Sequence, residues 1–211
     1  QGPRLLKIVK PIFDAVEADL FIIETTFAGH AQELANQFDL SGYDGFIGIG
    51  GDGTLHEITN GMLSRQDGNN IPIGIIPGGS GNSYMHDLQL TDPLKAAKAI
   101  TQGNTRSLDT AKVKVNHVVK YANNMVGWGL VTDVGNKAEH FRWLGTNRYT
   151  ILSVVEVLRH KNRSATLIMD DKKIEDEFTF IIACNSIHVG KGMKMAPKAK
   201  LDDGLIDLVV I

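Results

Sequence analysis

The run Phe46-Ile47-Gly48-Ile49 passes straight into Gly50-Gly51-Asp52-Gly53, and a helical pattern from Thr54 to Met62 begins at once. A strand that turns into a helix through glycines brings successive backbone N–H groups to one point, and the helix start adds the positive end of its dipole. The segment therefore reads as an anion site. Asp52 stands in the middle of it, where a carboxylate is disfavoured unless it meets a magnesium ion or takes a proton from an attacking hydroxyl. Both roles belong to phosphoryl transfer. The plain alternative is an Asp-Gly turn without chemistry.

A second glycine loop, Pro77-Gly78-Gly79-Ser80-Gly81-Asn82, follows the next predicted strand, Ile71 to Ile76, with Ser80 able to cap the helix after it. Both loops would leave the same carboxyl edge of a parallel sheet, where open α/β sheets bind ligands. Neither is a GxxxxGK[ST] or GxGxxG loop. The rest of the N-terminal half fits that sheet. Helices are predicted over Arg4–Val16, Gly29–Phe38 and Asp92–Thr101, and a buried strand over Ala18–Thr25.

From about Arg106 the texture becomes β-rich. RSLDTAKVKV and HVVKYANNMVGWG read as strands around a hairpin at Val115-Asn116-His117. Tyr149–His160 reads as a helix. Ser164–Met169 and Glu177–Cys184 read as an antiparallel pair separated by polar DDKKIED, and Leu205–Ile211 as a last strand. The expected organisation is an α/β nucleotide-binding domain over 1–104 with a parallel sheet, and a β-rich antiparallel domain over 105–211. Ending on an apolar strand, the second domain reads as incomplete at its C-terminus.

Hydrophobic residues are 43% and charged residues 22% of the 211, so the chain can bury a core, and a net charge of −2 argues against a nucleic-acid-coating protein. The single cysteine, Cys184, excludes an intrachain disulfide framework. No apolar run reaches membrane-spanning length. The seven histidines show no HExxH spacing, Lys191, Lys194, Lys198 and Lys200 read as a solvated face, and Trp128 and Trp143 as packing residues.

GGDGTLHEITNGM resembles the GGDGT-x-x-E-x-x-N-G signature of the diacylglycerol kinase catalytic domain family, and PGGSGN resembles its second loop in the sphingosine kinase form. TTFAGHAQELA resembles the family's nucleotide-contacting T-x-x-x-GHA-x-E segment, and EHFRWLGTNR its sphingosine/ceramide kinase segment E-x-x-R-W-x-G-x-x-R. The resemblance implies an NAD kinase/diacylglycerol kinase-like fold and an ATP- and magnesium-dependent lipid kinase. Asp52 would be the catalytic carboxylate. Thr25, Gly29, Gly50, Gly51, Gly53, Thr54, Glu57, Gly79, Ser80, Gly81, Arg142 and Arg148 would contact ATP, the two arginines through its phosphates. Asp133 would meet the acceptor. MAPKAKLDDGLIDLVV resembles an element that holds structural magnesium, which falls on Asp203 and the carbonyl of Leu205; its third ligand position is Lys200, which cannot coordinate a cation.

The departures carry information too. Sphingosine kinases have D-V-D where this chain has Asp133-Val134-Gly135, so the second acceptor-binding carboxylate is absent. The family's opening N-P-x-x-G loop and later D-G-E segment lie outside the sequence. Expected partners are ATP and a sphingoid base, ceramide or diacylglycerol-type lipid, met by a cytoplasmic protein in transient membrane contact, with no nucleic acid and with a homodimer left open. The rival readings are an NAD kinase and a catalytically inactive nucleotide- or lipid-binding module.

Overall fold

The computed structural model describes residues 1–129, 162–190 and 192–211. It divides into two compact units, Gln1–Asn124 with Asn185–Leu205, and Met125–Cys184 with Ile206–Ile211. The β-rich segment just after residue 104, up to Asn124, and the returning stretch Asn185–Leu205 thus pack in the first unit.

In the first unit, helices α1 (Gly2–Asp14) and α2 (His30–Gln37) precede strand β1 (Phe46–Gly50) and helix α3 (Asp52–Leu63). Strand β2 (Ile73–Pro77), the short helix α4 (Ser83–Asp87) and helix α5 (Pro93–Thr101) follow. Strands β1 and β2 are parallel and in register from Phe46 opposite Ile73 to Gly50 opposite Pro77. That register brings both glycine loops out side by side. The core beneath them is Val9, Phe13, Leu55, Ile58, Ile75 and Ile76 with the alanines of α2 and α5, and Leu201 of the returning stretch joins it.

Helix α3 carries the first loop and is held at close range. A Cβ on Gly61 would lie 2.2 Å from the Gln32 carbonyl and 2.7 Å from Ala35 Cβ, so α2 and α3 meet where only glycine fits. Arg65 then donates to the carbonyls of Ala35 and Phe38, closing the C-terminal end of α2. On the other side, Asn60, 1% exposed, accepts from Tyr121 N at 2.9 Å and donates to Tyr121 O at 2.8 Å. Asn123 donates to Thr59 Oγ1. Tyr121 belongs to β4 (Val118–Ala122), which forms a hairpin with β3 (Ala111–Val115) through Asn116 at φ 54°.

Ala18–Thr25 forms no strand: Phe21, Ile22 and Ile23 stay exposed, and a cavity of about 670 Å³, lined by Leu6, Ile22, Ile47 and Ile49 among others, separates the segment from β1. β-branched side chains favour extended backbone, but a ladder needs a neighbour at strand spacing. Ser80 caps no helix; Asn82, at φ 49°, is the residue before α4. The expected helices Arg4–Val16, Gly29–Phe38 and Asp92–Thr101 form as α1, α2 and α5, the last capped by the Asp92 side chain on Leu94 N.

The second unit contains a three-stranded antiparallel sheet, ordered β11 (Asp207–Val210), β8 (Phe180–Cys184), β5 (Met125–Gly129), and a hairpin of β6 (Arg163–Met169) with β7 (Lys172–Phe178). The polar DDKKIED stretch is therefore mostly strand and not a separator. Six of the seven β7 residues are exposed, so its charges stay solvated while the backbone pairs, and Asp170 at φ 48° makes the turn. Burial pushes the Cys184 thiol up to about 11, leaving it a packing group. The helix expected over Tyr149–His160 lies outside the described residues. No described helix is long and apolar enough to cross a membrane.

Asn60→Ala strands both Tyr121 backbone groups and is expected to cost about 2–4 kcal/mol in urea unfolding; a loss below about 0.5 kcal/mol would contradict the bracing role assigned to it.

Candidate functional site

The two loops are locked against one another. Gly78 N donates to Gly50 O at 2.7 Å, continuing the β1–β2 ladder by one bond. Beyond it the backbones nearly touch: a Cβ on Gly79 would lie 2.6 Å from Gly51 Cα, and one on Gly51 would lie 2.8 Å from Gly79 Cα. Asn82 ties the second loop to itself, accepting from Gly79 N at 3.0 Å and donating to Gly79 O at 2.9 Å. Gly53, by contrast, faces open space, as does Gly29.

Asp52 is the joint between them. It opens α3, where a carboxylate complements the helix dipole, and it also closes α4 from outside. Its Oδ2 accepts from Ser83 N at 2.9 Å and its Oδ1 from Tyr84 N at 3.0 Å. One side chain thus satisfies the first two amides of a helix that begins with no side-chain cap of its own. The aspartate in the glycine loop is a fixed carboxylate, held in one orientation by two backbone donors.

Glu57, one turn along α3, accepts from Gly29 N at 2.9 Å and so joins the α2 N-terminus to the first loop. Gly29 is at φ 92°, a conformation suited to glycine. Thr25, Thr54 and Glu57 line the same cavity, while Thr25 and Ser80 are exposed. Phe27, also exposed, stacks on His30 with ring centroids 4.6 Å apart. Desolvation lowers the His56 imidazole below its ordinary value, Lys120 adding to the effect and Glu57 opposing it. Burial pushes the Tyr84 phenol up to about 12, so that it packs as a neutral group.

The structure therefore gathers Asp52, Gly50, Gly51, Gly53, Thr54, Gly79, Ser80 and Gly81 at one sheet edge, with Gly29 and Glu57 bonded alongside. Arg142, Arg148 and Asp133 lie outside the described residues. The Asp203–Leu205 turn is satisfied internally: Asp203 Oδ1 accepts from Leu205 N at 3.1 Å, and Gly204 N donates to Asp109 Oδ2 at 2.7 Å. Among the described residues no three His, Cys, Asp or Glu side chains converge as a metal site. The turn thus has two carboxylates bonded to its backbone, Asp109 and Asp203, and no third ligating side chain among the described residues.

Three residues of the site escaped the sequence reading. Asn82 could have been found as an Asn directly after a run of glycines, because Asn tolerates αL backbone and its side chain bonds nearby backbone groups. Asn60 and Gly61 stand in the signature motif itself, yet their work is to pack α3 rather than to touch a ligand.

Comparison with known proteins agrees with this geometry. The family model of the diacylglycerol kinase catalytic domain matches residues 1–113, and that of the YegS C-terminal NAD kinase beta sandwich-like domain matches residues 124–211. The chain is 37% identical over 158 residues to sphingosine kinase 1 of Arabidopsis thaliana, covering 71% of this chain and 33% of that protein. It is 29% identical over 193 residues to the diacylglycerol kinase of Bacillus subtilis (strain 168), covering 89% of this chain and 61% of the other. A crystal structure of a diacylglycerol kinase from Bacillus anthracis str. Sterne superposes with a TM-score of 0.76 at 27% identity, over 99% of this chain and 67% of that one. The chain thus spans about a third of the plant relative and about three fifths of the B. subtilis one. With two joined glycine loops, a carboxylate fixed between them and a family model matched over more than half its length, the chain belongs to the diacylglycerol kinase catalytic domain family, in its sphingosine-kinase-like branch.

Proposed function

We propose that this chain carries the phosphoryl-transfer site of an ATP-dependent lipid kinase, which moves the γ-phosphate to a hydroxyl of a sphingoid base, ceramide or diacylglycerol-type lipid. The observation that carries the reading is Asp52, held between two glycine loops by the amides of Ser83 and Tyr84. Relatives bear the names sphingosine kinase, ceramide kinase and diacylglycerol kinase, which supports a lipid acceptor.

In this reading the ATP phosphates lie over the amides of Gly51, Gly53 and Thr54 at the start of α3 and those of Gly79, Ser80 and Gly81. Thr25, Gly29, Gly50 and Glu57 border the nucleotide. Asp52 takes the proton of the acceptor hydroxyl as its oxygen attacks the γ-phosphorus, and the bond to the β–γ bridging oxygen breaks to release ADP. A magnesium ion bound with the ATP phosphates would supply positive charge there, and Asp52 is the carboxylate of the two loops that could help hold it. Arg142 and Arg148 are assigned to the phosphates and Asp133 to the acceptor from the family resemblance. Asp203 and the Leu205 carbonyl remain the candidates for a structural magnesium. The lipid acceptor requires contact with a membrane surface. An exposed donor loop and a carboxylate that cannot swing away suit an acceptor delivered from outside, since catalysis then rests on positioning.

Asp52→Asn puts an NH2 group against one of two N–H donors and removes the base. It is expected to lower kcat by about 10²–10⁴-fold while ATP dissociation, read with a fluorescent nucleotide, changes by only a few fold. Equal nucleotide binding with no turnover in either protein would instead favour a binding module. Gly79→Ala, whose Cβ must push Gly51 away, is expected to weaken ATP binding by about tenfold or more, as overpacking of this kind costs about 1–3 kcal/mol. The function itself is tested by offering labelled ATP with a panel of sphingoid base, ceramide, diacylglycerol and NAD. The account expects label in a lipid; label in NAD and in no lipid would overturn it in favour of an NAD kinase.

A further inference from the structure

Asp87, the last residue of α4, takes no part in the mechanism above, yet its side chain is 2% exposed. Its Oδ2 accepts from Ile187 N at 3.0 Å, and its Oδ1 is bonded to His188 Nδ1, in a side chain itself only 14% exposed. One buried carboxylate thus seizes the backbone of one residue and the side chain of the next, in a segment one hundred positions away. The segment leads into strand β9 (His188–Val189), which pairs with β10 (Met193–Lys194).

Gly190, just beyond β9, comes close to the second glycine loop at Gly81. A Cβ on Gly81 would lie 3.4 Å from Asp52 Oδ2 and 3.7 Å from Gly190 Cα, so Gly190 borders the space next to the Asp52 carboxylate. The neighbouring residue of α4, His86, lies close to Gly192: a Cβ there would be 3.3 Å from its ring, which in turn sits 5.6 Å from that of His188. Both glycines have positive φ. The stretch before β9 is also fastened at Asn185, whose Nδ2 donates to the carbonyls of Asp109 and Asn123 at 2.8 Å each. Asn185 Oδ1 and Ser186 Oγ are buried and have no hydrogen-bond partner among the described residues.

We propose that Asp87 and His188 are positioning residues for the acceptor side of this site. Their bond docks β9 onto α4, and thereby fixes Gly190 as a wall that limits how an acceptor hydroxyl approaches Asp52. The inference rests on the lipid kinase reading for its consequence, though not for the clamp itself. The phosphate cradle is secured by other bonds, Gly78 N to Gly50 O and the Asn82 pair, so loosening the clamp should spare the nucleotide.

The test uses Asp87→Asn, Asp87→Ala, His188→Ala and His188→Gln in the whole protein, with two readouts. In steady-state kinetics, Asp87→Ala and His188→Ala are expected to raise the KM for the lipid about tenfold while the KM for ATP stays within about twofold. His188→Gln, whose amide can still donate to Asp87, should recover part of that loss, and Asp87→Asn should fall between wild type and Asp87→Ala. In hydrogen exchange, which needs no turnover, Asp87→Ala is expected to speed exchange at 185–190 and leave 79–84 unchanged. Equal rises in both KM values, or no rescue by glutamine, would reduce the pair to a general stabilising contact and overturn the proposal. If the wild type phosphorylates no lipid, the functional reading fails separately, and unchanged exchange at 185–190 in Asp87→Ala would still overturn the clamp.

Discussion

The pair of hydrogen bonds from Ser83 N and Tyr84 N to the Asp52 carboxylate is the constraint on which the site depends. Helix α4 has five residues and no side-chain cap at its start. It is too short to hold itself together and needs an acceptor from outside. The acceptor comes from the first residue of α3, so neither loop is set without the other. The Gly51–Gly79 approach adds the steric half of the same joint, because a Cβ on either glycine would collide with the Cα of the other.

Everything that braces α3 therefore braces the reacting carboxylate. Gly61 lets α2 pack closely, Glu57 ties the α2 N-terminus to the loop, and Asn60 fastens β4 to the helix by both its polar atoms. On the α4 side, Asp87 brings in the returning stretch and with it Gly190. A short parallel sheet supplies the direction in which the loops emerge, while side-chain and backbone bonds from remote segments decide where their atoms stop. This division suits phosphoryl transfer, in which placement of groups does most of the catalytic work.

Much of this was legible in the residues. The strand–glycine–helix junction at Gly50–Thr54 announces itself, because few backbone arrangements accept that many glycines beside an apolar run, and the second loop falls at the same edge by the logic of parallel sheets. Three things were not legible, for distinct reasons. Ala18–Thr25 has strand composition, but a ladder depends on a neighbour that composition cannot report. The charged β7 strand lacks the alternation that marks half-buried strands, since it is exposed nearly throughout. The bonds of Asp52 to α4 and of Asp87 to β9 join residues about 30 and 100 positions apart, and no local pattern encodes them. The signature read as ligand chemistry turns out to be mixed, with Asn60 and Gly61 serving packing.

The central claim is that the joint at Asp52 is where ATP phosphates sit, and the most direct measurement is an amide-resolved NMR titration with MgATP. The account predicts the largest shifts, with slowed exchange, at Gly51, Gly53, Thr54 and Gly79 through Gly81, and little change along β6 and β7. Saturable MgATP binding that leaves these amides unmoved would contradict it.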